Sequence, residues 1–353
     1  TRAFAMGGDN QGPPSTAQNR IEMVEISTTG NATDFGDLTQ ATASCPQGCG
    51  SFTRGLNGGG QSSPTYFSTI NSFNYGSLGN AVDFGDLTQA RRLMSAFSDT
   101  QRGVWAGGID PSSDSNVIDY VTISTFGNAT DFGDLLAITQ SGQSGSDSHQ
   151  GIEALQPRAP ELYSPTGKPL PAGSEVGDIG ISGGGWNGSS YATSTEFIQI
   201  STTGNGTDFG NLTYGRQNTG GLASTTRNIN INGSAPSNLS DVDYLEFSTK
   251  GNSADFGDLT TYRRGDAGTS NATRGLVGGG YPGTPGRINN IDYFTIATIG
   301  NGTDFGDSSA ELTDQCAVSS STRAIYAGGR DNPNGYINTI EYFTIGSTGN
   351  GTD

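Results

Sequence analysis

The chain has 353 residues, of which 34 are acidic and 17 basic, and lysine occurs only at Lys168 and Lys250. A net charge of −17 leaves no cluster of cations of the kind that nucleic acids and anionic membranes require, so we expect neither as a partner. No apolar run approaches the roughly 18 residues of a membrane span, and the first residues lack the basic start and apolar core of a signal peptide. We therefore expect no membrane insertion.

One ten-residue phrase, Gly30 to Thr39 (GNATDFGDLT), recurs along the whole chain. Its asparagine marks seven copies, at Asn31, Asn80, Asn128, Asn205, Asn252, Asn301 and Asn350. The spacing is 47 to 49 residues except between Asn128 and Asn205, where it is 77. A fixed period of this length is typical of a repeat protein.

Each repeat contains four short segments in a constant order. A polar run that often contains Arg is followed by a Thr-Arg step into a small-residue strand that ends in glycines, as in Arg54 to Gly60. A variable loop leads to an alternating segment such as Val117 to Ile123, and the phrase follows. Period-two alternation rich in β-branched residues predicts strands, and glycine is too frequent for helices. The sequence predicts an all-β, seven-bladed β-propeller of four-stranded antiparallel blades spanning residues 1–353 as a single domain.

The two ends of the chain fall inside one repeat. Residues 1–8 match the strand that ends in Gly-Gly, and the last residues stop within the seventh copy of the phrase. We expect strands from the two ends to close the ring, because closure removes exposed sheet edges. We also expect the native polypeptide to extend beyond this segment at one end or both.

An insertion at 141–177 accounts for the long step between the third and fourth copies. It contains His149, the only histidine, together with Lys168 and five of the 14 prolines. Loops vary where function varies, which makes His149 and Lys168 candidate partner-binding residues. A tolerated surface insertion without a partner is the alternative.

Paired aspartates flank a Phe-Gly dipeptide in the phrase. The positions are Asp34, Phe35, Gly36 and Asp37, with Asp131, Asp134, Asp255 and Asp258 in later copies. Two carboxylates suggest a calcium loop, but one copy has Asn211 at the second position. We favour a structural turn in which the first Asp caps its own backbone, Phe fills the space between blades and Gly adopts a positive φ. We expect no metal or other cofactor, with calcium as the alternative.

Arginine recurs at the start of the glycine-ending strand, and we expect it to pair with these aspartates; a ring of arginines facing an anionic ligand is the alternative. The positions are Arg2, Arg54, Arg102, Arg227, Arg274 and Arg323.

The cysteines are Cys45, Cys49 and Cys316. The spacing of Cys45 and Cys49 suits a metal, but no second Cys or His pair joins them. A local disulfide and free thiols therefore remain open.

The order of segments resembles the kelch-type propeller blade, including the acid-Tyr step at Asp119-Tyr120 and Asp292-Tyr293. The chain departs from that pattern in having Phe35 and its equivalents where kelch blades usually carry Trp. The phrase itself looks like repeats of kelch-like proteins from phages that infect marine cyanobacteria and other marine bacteria. The resemblance covers nearly all of the chain outside the insertion. It implies a virion-associated or extracellular structural protein, such as a fibre, an appendage or a host-attachment component.

Three functions follow as hypotheses. The first is a non-enzymatic module that binds a structural protein or a host glycan through its loops, with aromatic residues Trp105, Trp186, Tyr281 and Tyr336 as candidate platforms. The second is an assembly scaffold within a larger particle. The third is a glycan-active enzyme, which we disfavour because one histidine cannot build a copper oxidase site and the arginines are spread evenly rather than clustered.

Overall fold

A computed structural model describes residues 2–9, 16–43, 47–146, 178–217, 220–224, 226–235, 240–283, 286–331 and 335–353. These residues form an all-β protein without a helix, and the strands group into seven small antiparallel sheets that surround a common axis. The predicted seven-bladed propeller is confirmed. We number the sheets as blades 1 to 7 in chain order.

The blades contain the following strands. Blade 1 has β1 (Arg2–Met6), β2 (Gln18–Glu25) and β3 (Thr33–Thr42). Blade 2 has β4 (Gln47–Gly50), β5 (Arg54–Gly58), a ribbon of β6 (Gln61–Ser62) and β7 (Thr65–Tyr66), β8 (Thr69–Asn74) and β9 (Val82–Asp86). Blade 3 has β10 (Ser95–Ser98), β11 (Arg102–Ala106), β12 (Val117–Thr122) and β13 (Thr130–Asp134). Blade 4 has β14 (Gln143–Ser146), β15 (Ile179–Gly183), β16 (Ser194–Gln199) and β17 (Thr207–Asn211).

The remaining strands repeat the same arrangement. Blade 5 has β18 (Gly220–Ala223), β19 (Arg227–Ile231), β20 (Asp241–Glu246) and β21 (Ala254–Asp258). Blade 6 has β22 (Ala267–Ser270), β23 (Arg274–Gly278), β24 (Asn290–Thr295) and β25 (Thr303–Asp307). Blade 7 has β26 (Cys316–Ser319), β27 (Arg323–Ala327), a ribbon of β28 (Arg330–Asp331) and β29 (Gly335–Tyr336), and β30 (Ile340–Thr344).

Within a blade the strands pair in sequence order, and in blades 2 to 7 the first strand lies innermost. In blade 1, β1 corresponds to the second strand of the other blades. The innermost strands of neighbouring blades pack side by side from β4 through β10, β14, β18 and β22 to β26. Their residues are mostly small, which lets them approach closely. A side-chain hydroxyl often joins two of them, as where Ser98 Oγ donates to Gly50 O at 2.9 Å.

The ring is closed by contact between blades 7 and 1, because Arg323 Nη1 donates to Ile26 O at 3.3 Å. Strands β1 to β3 form one three-stranded sheet, and β26, β27 and β30 form another. The predicted pairing of strands from the two chain ends is therefore not among the sheets of the described residues.

The core lies between the blades rather than inside any one of them. Leu56, Ile70 and Phe84 of blade 2 pack against Trp105 and Val121 of blade 3 in a single buried cluster. Similar clusters fill the other junctions. Each blade thus depends on its neighbours for burial, as expected of a repeat architecture.

Candidate binding face

The antiparallel order gives the propeller two different faces. The face that we call the turn face carries the turn between the first and second strands of each blade and the turn that contains the repeated phrase. The opposite face, which we call the loop face, carries the variable loop between the second and third strands. It also carries the linker from each outermost strand to the next blade.

The repeated phrase builds the turn face through a β-bulge. In blade 3, Ile118 pairs with Gly133 and Asp119 with Asp131, so Phe132 is the extra residue and its buried side chain packs between blades. Asp131 Oδ1 accepts the Gly133 N–H at 3.0 Å. Bulges of this kind bend a strand and redirect a side chain.

The structural interpretation of the phrase is confirmed in its main points. The first aspartate caps its own backbone at four copies, namely Asp83, Asp131, Asp255 and Asp304. Phe35 is 3% exposed and Gly36 has φ +151°. A Cβ on Gly36 would lie in the backbone of Gly79 in the next blade, so this position requires glycine.

The asparagine that recurs in each copy of the phrase joins neighbouring blades. Asn80 Oδ1 accepts the Asp37 N–H at 3.0 Å, while Gly79 N–H donates to Phe35 O at 2.9 Å and Ala81 N–H to Asp37 O at 2.8 Å. The asparagine contact recurs at every following junction, at Asn128, Asn205, Asn252, Asn301 and Asn350. The recurrence of Asn is therefore explained by a contact between blades as well as by the turn.

The expected pairing of the recurrent arginines with the turn aspartates is wrong. Arg102 instead donates from Nη1 to Ile200 O of the next blade at 3.0 Å, and its guanidinium lies 4.7 Å from the centre of the Tyr120 ring. The same contact to the next blade is made by Arg2, Arg54, Arg227, Arg274 and Arg323. The residue after the alternating strand offers a buried carbonyl that needs a donor, and arginine reaches it.

Blade 4 has Ile179 at this arginine position, and a cation arrives from the neighbouring blade instead. Lys250 Nζ lies 3.8 Å from the centre of the Phe197 ring, which occupies the position of Tyr120. A cation over an aromatic ring is thus retained although its source has changed.

A second set of arginines forms fully buried ion pairs that the sequence did not reveal. In the linker to blade 3, Arg91 pairs with Asp119 and donates to Gly107 O and Val117 O, each at 2.7 Å. Arg216 pairs with Asp243 at 2.8 Å, and Arg263 pairs with Asp292.

Where such an arginine is absent, the position of Asp119 is not an aspartate. This position is Asn71 in blade 2, where Thr42 replaces the arginine, Glu196 in blade 4 and Glu341 in blade 7. Burial raises the pKa of Glu196, and the Leu136 N–H that donates to it at 2.8 Å opposes that rise. Arginine and aspartate therefore vary together among the repeats, which indicates that they act as a pair.

One loop-face position differs in every repeat. The residue that follows the glycine turn differs in all seven blades: Asp9, Gln61, Ile109, Trp186, Ser234, Tyr281 and Arg330. This turn is Gly-Gly in six blades and Asn232-Gly233 in blade 5. In five blades the backbone of the residue after the turn bridges to the preceding linker, as at Arg264 and Tyr281. The backbone frame is thus constant while the side chain presented on it changes. In sequence, residues 147–177 of the insertion fall instead between β14 and β15, a connection that starts and ends on the turn face.

Aromatic side chains are abundant on this face. Tyr214, Tyr262 and Tyr336 are 51%, 40% and 53% exposed. Guanidinium groups lie over the Tyr336 ring and over two further rings: Arg92 is 5.6 Å from the centre of the Tyr66 ring, Arg264 is 5.3 Å from that of Tyr281, and Arg330 is 6.0 Å from that of Tyr336.

An open cleft of about 520 Å³ lies on the loop face where the linkers enter blades 3, 4 and 5. Its lining residues are Leu93, Gln140, Ser141, Trp186, Tyr191 and Gln217. None of these side chains carries a formal charge at neutral pH.

The predicted aromatic platforms differ in their exposure in the structure. Trp186 and Tyr281 are partly exposed on the loop face, and Tyr336 is exposed there. The prediction that Trp105 is an exposed platform is wrong, because its side chain is completely buried. Its indole packs over Gly58, where a Cβ would clash, and its N–H donates to Gln47 O at 3.0 Å.

His149, Lys168 and all of the insertion beyond Ser146 lie outside the described residues, as does Cys45. Cys49 and Cys316 are free thiols. No group of three or more His, Cys, Asp or Glu side chains in the described ranges is arranged to hold a metal ion. The cleft residues Tyr191, Gln140 and Gln217 were missed, because Gln140 and Gln217 belong to linkers that meet Trp186 only in the folded ring.

Comparison with protein-family models and with curated proteins finds no match for this chain. The described part of the chain contains no helix that could span a membrane.

Proposed function

We propose that this protein is a non-enzymatic recognition module on a virion or another extracellular surface, and that it binds its partner through the loop face. The partner is a host-cell glycan or another surface structural protein. The observation that supports this function is the uneven distribution of differences among the seven repeats. The asparagine contact of the repeated phrase recurs at six junctions, whereas the residue presented after the glycine turn on the loop face changes from blade to blade.

The turn face uses one asparagine contact at six successive junctions. The loop face instead presents a different residue after the glycine turn of each blade. Apolar and aromatic side chains are exposed on both faces, for example Tyr214 and Tyr262 on the loop face and Leu78 and Ile299 on the turn face. The variation between blades, rather than the exposure, therefore favours the loop face.

The ionisable groups support a binding role over an enzymatic one. Glu196 and Asp266, whose pKa values are raised by burial, lie at blade junctions and outside the cleft. The described residues that line the cleft include no carboxylate, histidine or thiol. General acid–base or nucleophilic catalysis needs such groups within reach of the substrate.

The test compares a loop-face variant with a turn-face control. One variant replaces Trp186, Tyr214, Tyr262 and Tyr336 on the loop face by Ser, and the other replaces Leu78 and Ile299 on the turn face, which are 67% and 60% exposed, by Ser. Fluorescently labelled protein is added to intact marine cyanobacterial cells, because the repeats resemble those of their phages. We expect the turn-face variant to bind as the unchanged protein does and the loop-face variant to lose most of its binding.

Protease and periodate treatment of the cells distinguishes a protein partner from a glycan partner. Equal binding by both variants would overturn the assignment to the loop face. Absence of binding to any cell tested, with stable co-purification in a particle, would favour the assembly scaffold.

A further inference from the structure

We infer that the cleft beside Trp186 binds a neutral glycan, with one sugar ring stacked on the indole. This inference rests on the proposed function and names the ligand class for one site on the loop face. It follows from the shape of the cleft, from the side chains that line it and from the environment of Trp186 compared with the equivalent positions in other blades.

The cleft has a rigid backbone frame. Leu93 and Ser141 adopt left-handed conformations, with φ of 56° and 52°, and the Ser141 N–H donates to Leu93 O at 3.0 Å. Such a conformation is uncommon for a residue with a bulky side chain and is held here by the contact between the linkers of blades 3 and 4. A frame that is ordered before binding loses less entropy when a ligand arrives.

Two reciprocal hydrogen bonds fix Trp186 against the linker. Gln140 N–H donates to Trp186 O at 3.1 Å, and Trp186 N–H donates to Gln140 O at 3.0 Å. The Tyr191 ring meets the indole edge to face, with ring centres 5.3 Å apart and an angle of 78°. The indole is thus oriented by its backbone and by one aromatic neighbour while remaining partly exposed.

The lining combines an aromatic surface with uncharged polar groups. Gln140, Gln217 and Ser141 supply amide and hydroxyl groups that both donate and accept hydrogen bonds. A sugar ring has an apolar C–H face and a rim of hydroxyl groups, which also donate and accept. Its face matches the indole and its rim matches the amides.

Charge excludes the acidic glycans. The cleft has no cationic side chain to pair with a carboxylate or sulfate, and the chain as a whole carries a net charge of −17. The resulting field opposes the approach of anionic polymers. A neutral saccharide carries no such penalty.

Two features together distinguish Trp186 from the other aromatic residues of the loop face. Guanidinium groups lie over the rings of Tyr66, Tyr281 and Tyr336. In the described part of the chain no cation lies over the indole of Trp186, and its aromatic contact with Tyr191 is edge to face. Tyr214 and Tyr262 share this lack of a cation, but unlike Trp186 they do not line the cleft.

The chain contains two tryptophans, which makes a direct measurement possible. Trp105 is completely buried, whereas Trp186 is partly exposed. Acrylamide quenching of the intrinsic fluorescence therefore reports mainly on Trp186. The probes are neutral oligomers of glucose, galactose and mannose, with oligogalacturonate as the anionic control and a neutral Gly-Ser peptide as the non-sugar control.

We expect at least one neutral oligosaccharide to protect the exposed tryptophan from acrylamide, and neither control to do so. Trp186→Ala should weaken binding, measured by calorimetry, by roughly tenfold or more, because the stacking surface is lost. Trp186→Phe should retain part of the affinity. Tyr281→Ala, which removes an aromatic ring from the same face but outside the cleft, should bind as the unchanged protein does, and circular dichroism checks the fold of each variant.

Protection by none of the neutral sugars would overturn the inference, and so would equal affinity in Trp186→Ala or stronger binding of oligogalacturonate or the peptide. The proposed function has a separate readout, since cell binding that depends on the loop face but is lost after protease treatment would support it while excluding the glycan site. Loss of cell binding by the turn-face variant instead of the loop-face variant would overturn the proposed function itself.

Discussion

Asp266 should make the protein less stable as pH rises through the weakly acidic range. It lies just before β22, at the position that Met94 occupies in blade 3. Met94 fills the space beneath the glycine turns of blades 2 and 3. Both carboxylate oxygens of Asp266 are buried without a hydrogen-bond partner, and burial raises its pKa to about 6 despite the attraction of Arg263.

The sign and size follow from proton linkage. Below the ordinary pKa of 3.8 both folded and unfolded chains hold the proton, so Asp266 costs nothing. Between 3.8 and about 6 only the folded chain keeps it, and the free energy of unfolding falls as pH rises. Above about pH 6 the full penalty applies, which is roughly 3 kcal/mol at roughly 1.4 kcal/mol per pH unit.

Asp266→Asn tests this reasoning because the amide has the shape of the protonated acid and does not titrate. Urea unfolding from pH 4 to pH 8 should show the variant close to the unchanged protein at pH 4 and more stable by roughly 3 kcal/mol at pH 7. The exposed Glu311→Gln serves as a control for the loss of one negative charge. A stability difference that is independent of pH, or equal in the two variants, would refute the argument.

Three further variants test the junctions, each by urea unfolding. Gly127 and Gly85 both have positive φ, but a Cβ added at Gly127 would contact nothing, whereas a Cβ added at Gly85 would clash with the backbone of Gly127. Gly127→Ala should therefore cost about 1–3 kcal/mol of stability through backbone strain, and Gly85→Ala should cost a further 1–3 kcal/mol through the clash. Equal costs would disprove the packing argument. Arg91→Thr should cost roughly 3–5 kcal/mol because Asp119 is left buried and unpaired, whereas adding Asp119→Asn, which reproduces the residues of the junction between blades 1 and 2, should restore most of it. Asn128→Ala should cost about 1 kcal/mol through loss of the contact to the preceding blade, and unchanged stability would show that this contact does not stabilise the junction.

The fold could be predicted from the sequence because the same pattern is repeated along the chain. Seven copies of one phrase, together with strands of period two, determine the number of blades and the strand order. The inward position of Phe35 and the positive φ of Gly36 were also predicted correctly, because each follows from the local chemistry of a turn.

Contacts between blades were harder to predict. Arg102 was expected to meet an aspartate but instead satisfies a carbonyl about a hundred residues away, at Ile200. Trp105 was expected on the surface, yet Gly58 in the preceding blade leaves room for its indole. Both outcomes depend on what the adjacent blade presents, which the spacing within a single repeat does not reveal.

The candidate site could be located in part from sequence. Trp186 was recognised as an aromatic residue near a loop, but Gln140 and Gln217 belong to linkers of different blades and meet it only when the ring forms. Comparing the seven repeats position by position identifies the residue after Gly-Gly as variable. It does not reveal which linker lies beside it.

The measurement that tests the central claim most directly is a hydroxyl-radical footprint of the protein, free and bound to isolated host-cell envelopes. Oxidation of exposed side chains reports which face becomes covered. Our account predicts protection of Trp186, Tyr214, Tyr262 and Tyr336 on the loop face, with unchanged oxidation of Leu78 and Ile299 on the turn face. Protection confined to the turn face would contradict it.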